Sequence, residues 1–439
     1  MGIQRCVSGI KGMLYKMPIL RTIYNFLTRL FVPIRVLYVR NNYRRVISRI
    51  KKRKPDEKIR VLFVVSEPTK WKCLLLYREM DASGVFYPFV ALSAWNTQSG
   101  YTDDQLDAHF TNAEDFFNRL GVRHVRSVST HPRVISSLRE FSPDIVVFNE
   151  QWYPCGKQKA TKISNFALTC FIPYYVPDYG DPVIDCMQLT EIYSHTYFVL
   201  NSEWLNLYRP YFKWWKTVAR LVPAGHPALD YFSCKTAGSS TGNKFVIYAP
   251  HFSFPAQNHS FKIILTHGTF DWSGRAILQY AQQHPEFRWV FKPHPLLKKE
   301  LMATGFFTAS EIEEYYHAWE KIGVGCYSGA YQELFMNSRA MITDCGSFLA
   351  EYGATGKPLI HLICGQNTAT PPLPSKMLWD TYYKVNNLDE MLSVFQLVLE
   401  ADQDPKRECR ERMVENLRLR GNEAAKNIVA YFRSLLDKQ

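Results

Sequence analysis

The sequence predicts an α/β protein with two doubly wound halves facing across a cleft, and three observations carry that prediction. From residue 59 onward, short runs that are apolar throughout alternate with helix-patterned stretches. The alternation pauses at the small, polar stretch FSCKTAGSSTGNK (232–244) and then begins again. Each apolar run closes on polar or turn residues. Runs without an apolar–polar alternation are strands buried on both faces, which implies parallel sheets covered by helices. Ligands of such sheets bind beyond the carboxyl ends of the strands.

The N-terminal segment, 1–55, stands apart by charge. Residues 1–60 hold 16 Lys and Arg against Asp56 and Glu57, a balance of +14, while the rest sets 37 basic against 38 acidic residues. The whole-chain charge of +13 is therefore local, and a nucleic-acid groove, which needs positive surface on the folded body, is not expected. Lys16, Pro18, Arg21, Arg29 and Pro33 interrupt the apolar residues too often for a signal peptide or for the roughly 20-residue apolar run of a bilayer span. Leu20, Ile23, Tyr24, Leu27, Leu30 and Phe31 fall on one helical face, with Arg21, Asn25, Thr28 and Arg29 on the other. The cluster RRVISRIKKRK (44–54) follows. An amphipathic helix beside a polybasic stretch suits an anionic membrane surface. A basic arm that binds nucleic acid or packs on the protein itself has the same composition.

The first half, 59–235, reads as strands at IRVLFVVS, YPFVALS, PDIVVFNE, ALTCFIPYY and HTYFVLNS, with helices near 71–80 and at DDQLDAHFTNAEDFFNRLG. The second, 243–400, reads as strands at KFVIYAPHFS, FRWVFKPHP, RAMITD and KPLIHLI, with helices at 273–284, YQELFMNS and GSFLAEYGATG. Residues 405–438 read as a helical tail, interrupted at Gly421-Asn422. A hydrophobic fraction of 46% with 21% charged residues suits two globular cores. The ten cysteines show neither CxxC pairing nor a Cys/His cluster with zinc spacing, which points to reduced, buried thiols.

Three strand ends in the second half carry chemistry-bearing residues. One ends in Pro250-His251, one in Lys292-Pro293-His294-Pro295, and one in Asp344 followed by Cys345-Gly346-Ser347 opening a helix. Proline on both sides of His294 fixes the backbone, so the imidazole is presented at a set angle. The backbone N–H groups at Gly346, Ser347 and Phe348 would be the orphan donors of a helix start; they could hold a phosphate, or Asp344 or Ser347 could simply cap the helix. Glu351, a turn further on, could reach ribose hydroxyls or be a solvated helix residue.

These stretches resemble the bacterial CDP-glycerol:glycerophosphate glycerophosphotransferases, the teichoic-acid polymerase and primase family. The resemblance runs from about Asn243 to Leu362 through YAPHFS, FKPHPLL and ITDCGSFLAEYGATGKPLI, with PAGHPALDYF (223–232) and GNEAAKNI (421–428) as weaker matches. It implies a GT-B fold and transfer of glycerol phosphate, or a related polyol phosphate, from a CDP-activated donor to a lipid-linked or polymer acceptor. It also implies a peripheral place at the cytoplasmic face of the bacterial cell membrane. Lys292 and His294 would contact the donor diphosphate, Asp344, Gly346 and Ser347 would form the helix-start phosphate site, and His251 would line the cleft.

One departure stands out. Members of the family carry a Trp-His-Gly-Thr stretch in the N-terminal half whose histidine is the candidate base, whereas the equivalent strand here runs CFIPYYVPDYGDP. THGTF (266–270) lies in the second half and reads as a decoy. Asp178 or Tyr179 would then face the acceptor, with Asp178 as general base, although an aspartate near its reference pKa of about 3.9 is a weak one. PDYGDP is equally a turn-rich loop. No Asp-x-Asp motif marks a nucleotide-bridging cation, so transfer is expected without metal or other cofactor. A GT-B glycosyltransferase using a nucleotide sugar, and a non-catalytic nucleotide-binding scaffold, remain as alternatives.

Overall fold

Thirteen strands among the described residues form two parallel sheets. The structure, a computed structural model, describes residues 18–93, 102–127, 138–150, 158–177, 189–214, 217–233, 245–255, 268–326, 331–365, 375–417 and 423–436, with side chains in the first helix from Ile34 on. The first sheet contains β1 (Ile59–Val65), β2 (Phe86–Leu92), β3 (His124–Arg126), β4 (Ile145–Phe148), β5 (Leu168–Phe171), β6 (Thr196–Val199) and β7 (Arg220–Pro223), in the order β3-β2-β1-β4-β5-β6-β7. The second contains β8 (Phe245–Ala249), β9 (Arg288–Phe291), β10 (Val324–Cys326), β11 (Ser338–Thr343), β12 (Leu359–Leu362) and β13 (Tyr383–Val385), in the order β10-β9-β8-β11-β12-β13. The strand order reverses between β1 and β4 in one sheet and between β8 and β11 in the other. Those two switch points are where a doubly wound sheet opens a crevice.

The central strands are dominated by β-branched, aromatic and aliphatic residues, most of them buried. β4, β5 and β6 are buried along their whole length. The register pairs Val64 with Phe148 and Thr343 with Ala249, so the ends of each switch-point pair lie level.

The N-terminal segment is one helix from Pro18 to Lys51, and its second half belongs to the first domain. Val36, Val39, Tyr43, Val46 and Ile50 are at most 3% exposed within the core that surrounds the first sheet. The Tyr43 hydroxyl donates to the Tyr193 carbonyl at 2.7 Å and lies 2.6 Å from Thr169 Oγ1. At the helix end, Arg49 and Arg53 reach the buried Asp144 carboxylate at 3.3 and 2.5 Å. Within the segment expected over 1–55, the part from Val36 to Ile50 thus packs on the first domain. From Val36 the helix packs on the protein, because its apolar residues recur at helical spacing beneath the basic ones. Ile34, Leu37 and Tyr38, by contrast, are more than half exposed. No helix among the described residues is long and apolar enough to cross a membrane.

The chain also ends on the first domain. The helix Ala424–Leu436 inserts Phe432 between Phe86 and Phe198. Asp230 accepts from the N–H groups of Ala424 and Ala425, both at 2.8 Å, and so caps that helix. PAGHPALDYF and GNEAAKNI, far apart in sequence, meet here.

Burial of an aliphatic or aromatic side chain contributes roughly 1.5–3 kcal/mol, so the five from the first helix are comparable with a whole domain's net stability of roughly 5–15 kcal/mol. A chain lacking residues 1–33 should therefore melt as a cooperative unit near the full-length temperature. One lacking residues 1–55 should show no cooperative transition by calorimetry.

Candidate active site

Asp344 follows β11 directly and is 1% exposed. Its carboxylate accepts from the His251 N–H and the Thr269 N–H, each at 2.6 Å, and from the Thr269 hydroxyl at 3.0 Å. Burial raises its pKa to about 6 against those hydrogen bonds. It fastens the β8 loop and the start of the helix Phe270–Gln283 to the switch point, and so does not face a ligand as expected. Gly268, within the supposed decoy, brings its backbone so close that an added Cβ would lie 3.1 Å from the Phe254 nitrogen and 3.2 Å from the His251 oxygen. The stretch matters for positioning, although His267 lies outside the described residues.

His251 and His294 come together as predicted, their ring centroids 5.1 Å apart with Phe252 beside both. The His294 N–H donates to the Pro250 carbonyl at 3.0 Å, which ties the Lys-Pro-His-Pro turn to the β8 turn. His294 Nδ1 accepts from the Leu296 N–H at 3.1 Å. That bond places the ring proton on Nε2. Burial, then the charges of Lys70 and Lys292, depress the His294 pKa to about 4, so the ring is a neutral N–H donor at pH 7. The positive charge belongs to Lys292, whose own pKa is lowered by burial and by Lys72 and whose ammonium lies 5.7 Å from the Phe348 ring centroid.

The helix Gly346–Gly353 begins at the same edge. Cys345 occupies its N-cap and offers only a thiol, a weak acceptor, 3.3 Å from the Ser347 hydroxyl. Ser347 is exposed. Glu351 is corrected: it is 1% exposed and committed to the fold, accepting from the Tyr331 hydroxyl at 2.6 Å and lying 3.6 Å from the Lys72 ammonium. Lys72 comes from the loop after β1, so this buried pair joins the two domains. It also lies 2.5 Å from the Tyr331 hydroxyl.

The facing edge of the first domain carries residues that the motif reading passed over. Ser66 follows β1 and Glu150 follows β4, across the first switch point. The Ser66 hydroxyl donates to Glu150 Oε1 at 2.5 Å, and the Lys70 ammonium lies 3.7 Å from Oε2. Lys70 also lies 5.1 Å from the Tyr174 ring centroid. SEPTKWK and FNE contain the signal, polar residues at strand ends, but no motif drew attention to them. Asp178 and Tyr179 lie outside the described residues. Among the described residues, no group of three or more His, Cys, Asp or Glu could hold a metal ion.

Comparison with solved structures shows the GT-B fold. The UDP-GlcNAc 2-epimerase of Neisseria meningitidis, bound to UDP-GlcNAc, aligns at 16% identity and a TM-score of 0.53, over 86% of this chain and 100% of that one. The S. aureus MnaA–UDP co-structure aligns at 11% identity and 0.54, over 86% and 97%. The wall teichoic acid polymerase TagF aligns at 11% identity over 93% and 99%, with a TM-score of 0.49 that is too low to argue from. No family model matches the chain, and no curated protein matches it.

Asp344 and Lys292 should separate by the sign of their effect on stability. Asp344→Asn sets an amide donor against a buried N–H and should cost about 1–3 kcal/mol in urea unfolding at pH 8. Lys292→Met removes a partly desolvated cation and should leave stability unchanged or higher.

Proposed function

We propose that the protein transfers a glycerol phosphate, or a related polyol phosphate, from a CDP-activated donor to a membrane-bound acceptor during cell-surface polymer synthesis. The observation that carries this reading is the meeting of Lys292, the His294 imidazole and the Ser347 helix start at the second switch point, with Lys70 of the first domain close enough for its charge to depress the His294 pKa. Two cations, a neutral N–H donor and helix-start amides together suit a diphosphate. The family motifs quoted above supply the cytidine and the polyol. An acceptor hydroxyl attacks the β-phosphorus in line and CMP leaves; the protein positions both partners and neutralises charge.

The surface of the first helix supports a peripheral place on the membrane. Arg44, Arg45, Ser48, Arg49 and Lys52 line one groove. A second, of ≈ 550 Å³, lies between this helix and the helix Ser202–Trp214; Arg40, Arg209 and Lys213 rim it over Leu205, Phe212 and Leu221. Cations over apolar walls, beside exposed Ile34 and Leu37, suit anionic headgroups and the upper acyl region.

Three outcomes test the reading. CDP-glycerol should raise the melting temperature, and His294→Ala should shrink the shift; a shift with UDP compounds alone would assign a nucleotide-sugar donor instead. A bound diphosphate raises the His294 pKa from about 4, so binding takes up a proton. Affinity for CDP-glycerol, whose diphosphate does not titrate in this range, should accordingly tighten from pH 8 to pH 6 in wild type and stay flat in His294→Ala. Finally, Arg209→Glu with Lys213→Glu should release the full chain from phosphatidylglycerol vesicles while its melting temperature holds; unchanged co-sedimentation would dismiss the second groove.

A further inference from the structure

We infer that Glu150 is the general base that takes the proton from the acceptor hydroxyl, an inference that rests on the transferase reading above. The topology places it. Glu150 and Ser66 stand at the carboxyl ends of β4 and β1, the strands between which the first sheet reverses its order. Asp344 and His251 stand at the corresponding place in the second sheet. β4 and β11 therefore each lead to a carboxylate at a switch point, Glu150 and Asp344, and the two have opposite fates; Glu67, beside Ser66, adds a like charge that raises the Glu150 pKa further. Asp344 is sealed by two backbone amides and a hydroxyl. Among the described residues, Glu150 is held by Ser66, through its hydroxyl and its backbone, and by the longer contact to Lys70, and its side chain is 14% exposed. A carboxylate has about four lone-pair sites, so Glu150 keeps acceptor capacity towards the cleft.

Its neighbours connect it to the donor side. Lys70 touches Glu150, and its charge also reaches His294. Tyr174, on the Lys70 ammonium, feels both Glu150 and Cys345 of the second domain. The carboxylate thus looks across to the place where Lys292, His294 and Ser347 would hold the donor. Burial raises the Glu150 pKa against the opposing effects of Lys70 and Ser66, which makes it a stronger base than an ordinary glutamate. Glu351, the other buried glutamate nearby, is consumed by Tyr331 and Lys72.

The step balances without a co-reactant. The acceptor oxygen's electron pair forms the new O–P bond to the β-phosphorus, and its proton passes to the Glu150 carboxylate. The bond between that phosphorus and the bridging oxygen breaks, and CMP leaves with the electron pair. Glu150 returns the proton to water.

The test follows CMP release by full-length protein from CDP-glycerol, with a synthetic glycerol-phosphate-terminated lipid as acceptor and with water alone. Wild type, Glu150→Gln and Glu150→Asp are compared across pH 5 to 9. Glu150→Gln should lower kcat by about 10²- to 10⁴-fold and lose the acid limb of the pH profile, with donor affinity and melting temperature held. Glu150→Asp should recover part of the rate with a displaced acid limb. A Glu150→Gln enzyme with unchanged kcat and an intact acid limb overturns the inference and leaves the transferase reading standing. A wild type that neither binds CDP-glycerol nor releases CMP overturns both.

Discussion

The Lys72 ammonium is the contact on which the arrangement of the cleft depends. It leaves the first domain after β1, enters the second, and meets Glu351 and the Tyr331 hydroxyl out of water. Burial works against its charge and Glu351 restores it. Breaking such a pair typically costs about 3–5 kcal/mol, because the partner is left charged and dry. This contact holds the segment after β1 against the second domain. It also explains why Glu351 is unavailable to a ligand.

Around that joint, the polar groups divide into those that hold the backbone and those that face the cleft. Asp344, Thr269 and Gly268 belong to the first kind, and the backbone groups they tie are otherwise buried donors that demand partners. Lys292, His294, Ser347, Lys70 and Glu150 belong to the second. Burial, with the charges of Lys70 and Lys292 added, keeps the His294 imidazole neutral. In the proposed reading, a donor diphosphate beside the ring would favour its protonation.

Much of the architecture was legible because central strands are written in uninterrupted apolar runs. The edges were not. β3, β7, β10 and β13 have three or four residues, and HVR, RLVP and YKV mix charge or proline with their few apolar positions. The helix Ser202–Trp214 was hidden by Pro210 within it. The packing of the first helix's second half was not legible for a different reason: a face that packs on a sheet and a face that lies on lipid have the same 3.6-residue periodicity. Which one applies depends on residues such as Thr169 and Asp144, far away in sequence. The strand-end rule brought His251, Lys292 and His294 together correctly. It could not tell that Asp344 turns inward, since that depends on two amides supplied by other loops. Glu150 was overlooked because attention followed motifs, not the same rule applied to β4.

The central claim, that a donor diphosphate is held at the second switch point opposite the first, is tested most directly by amide hydrogen exchange with and without CDP-glycerol. The account predicts slowed exchange in 251–254, 292–297 and 346–349, with a smaller effect at 66–72, and no change along 36–50. Protection confined to the first helix and 202–214, with the second domain's strand ends unaffected, would contradict it.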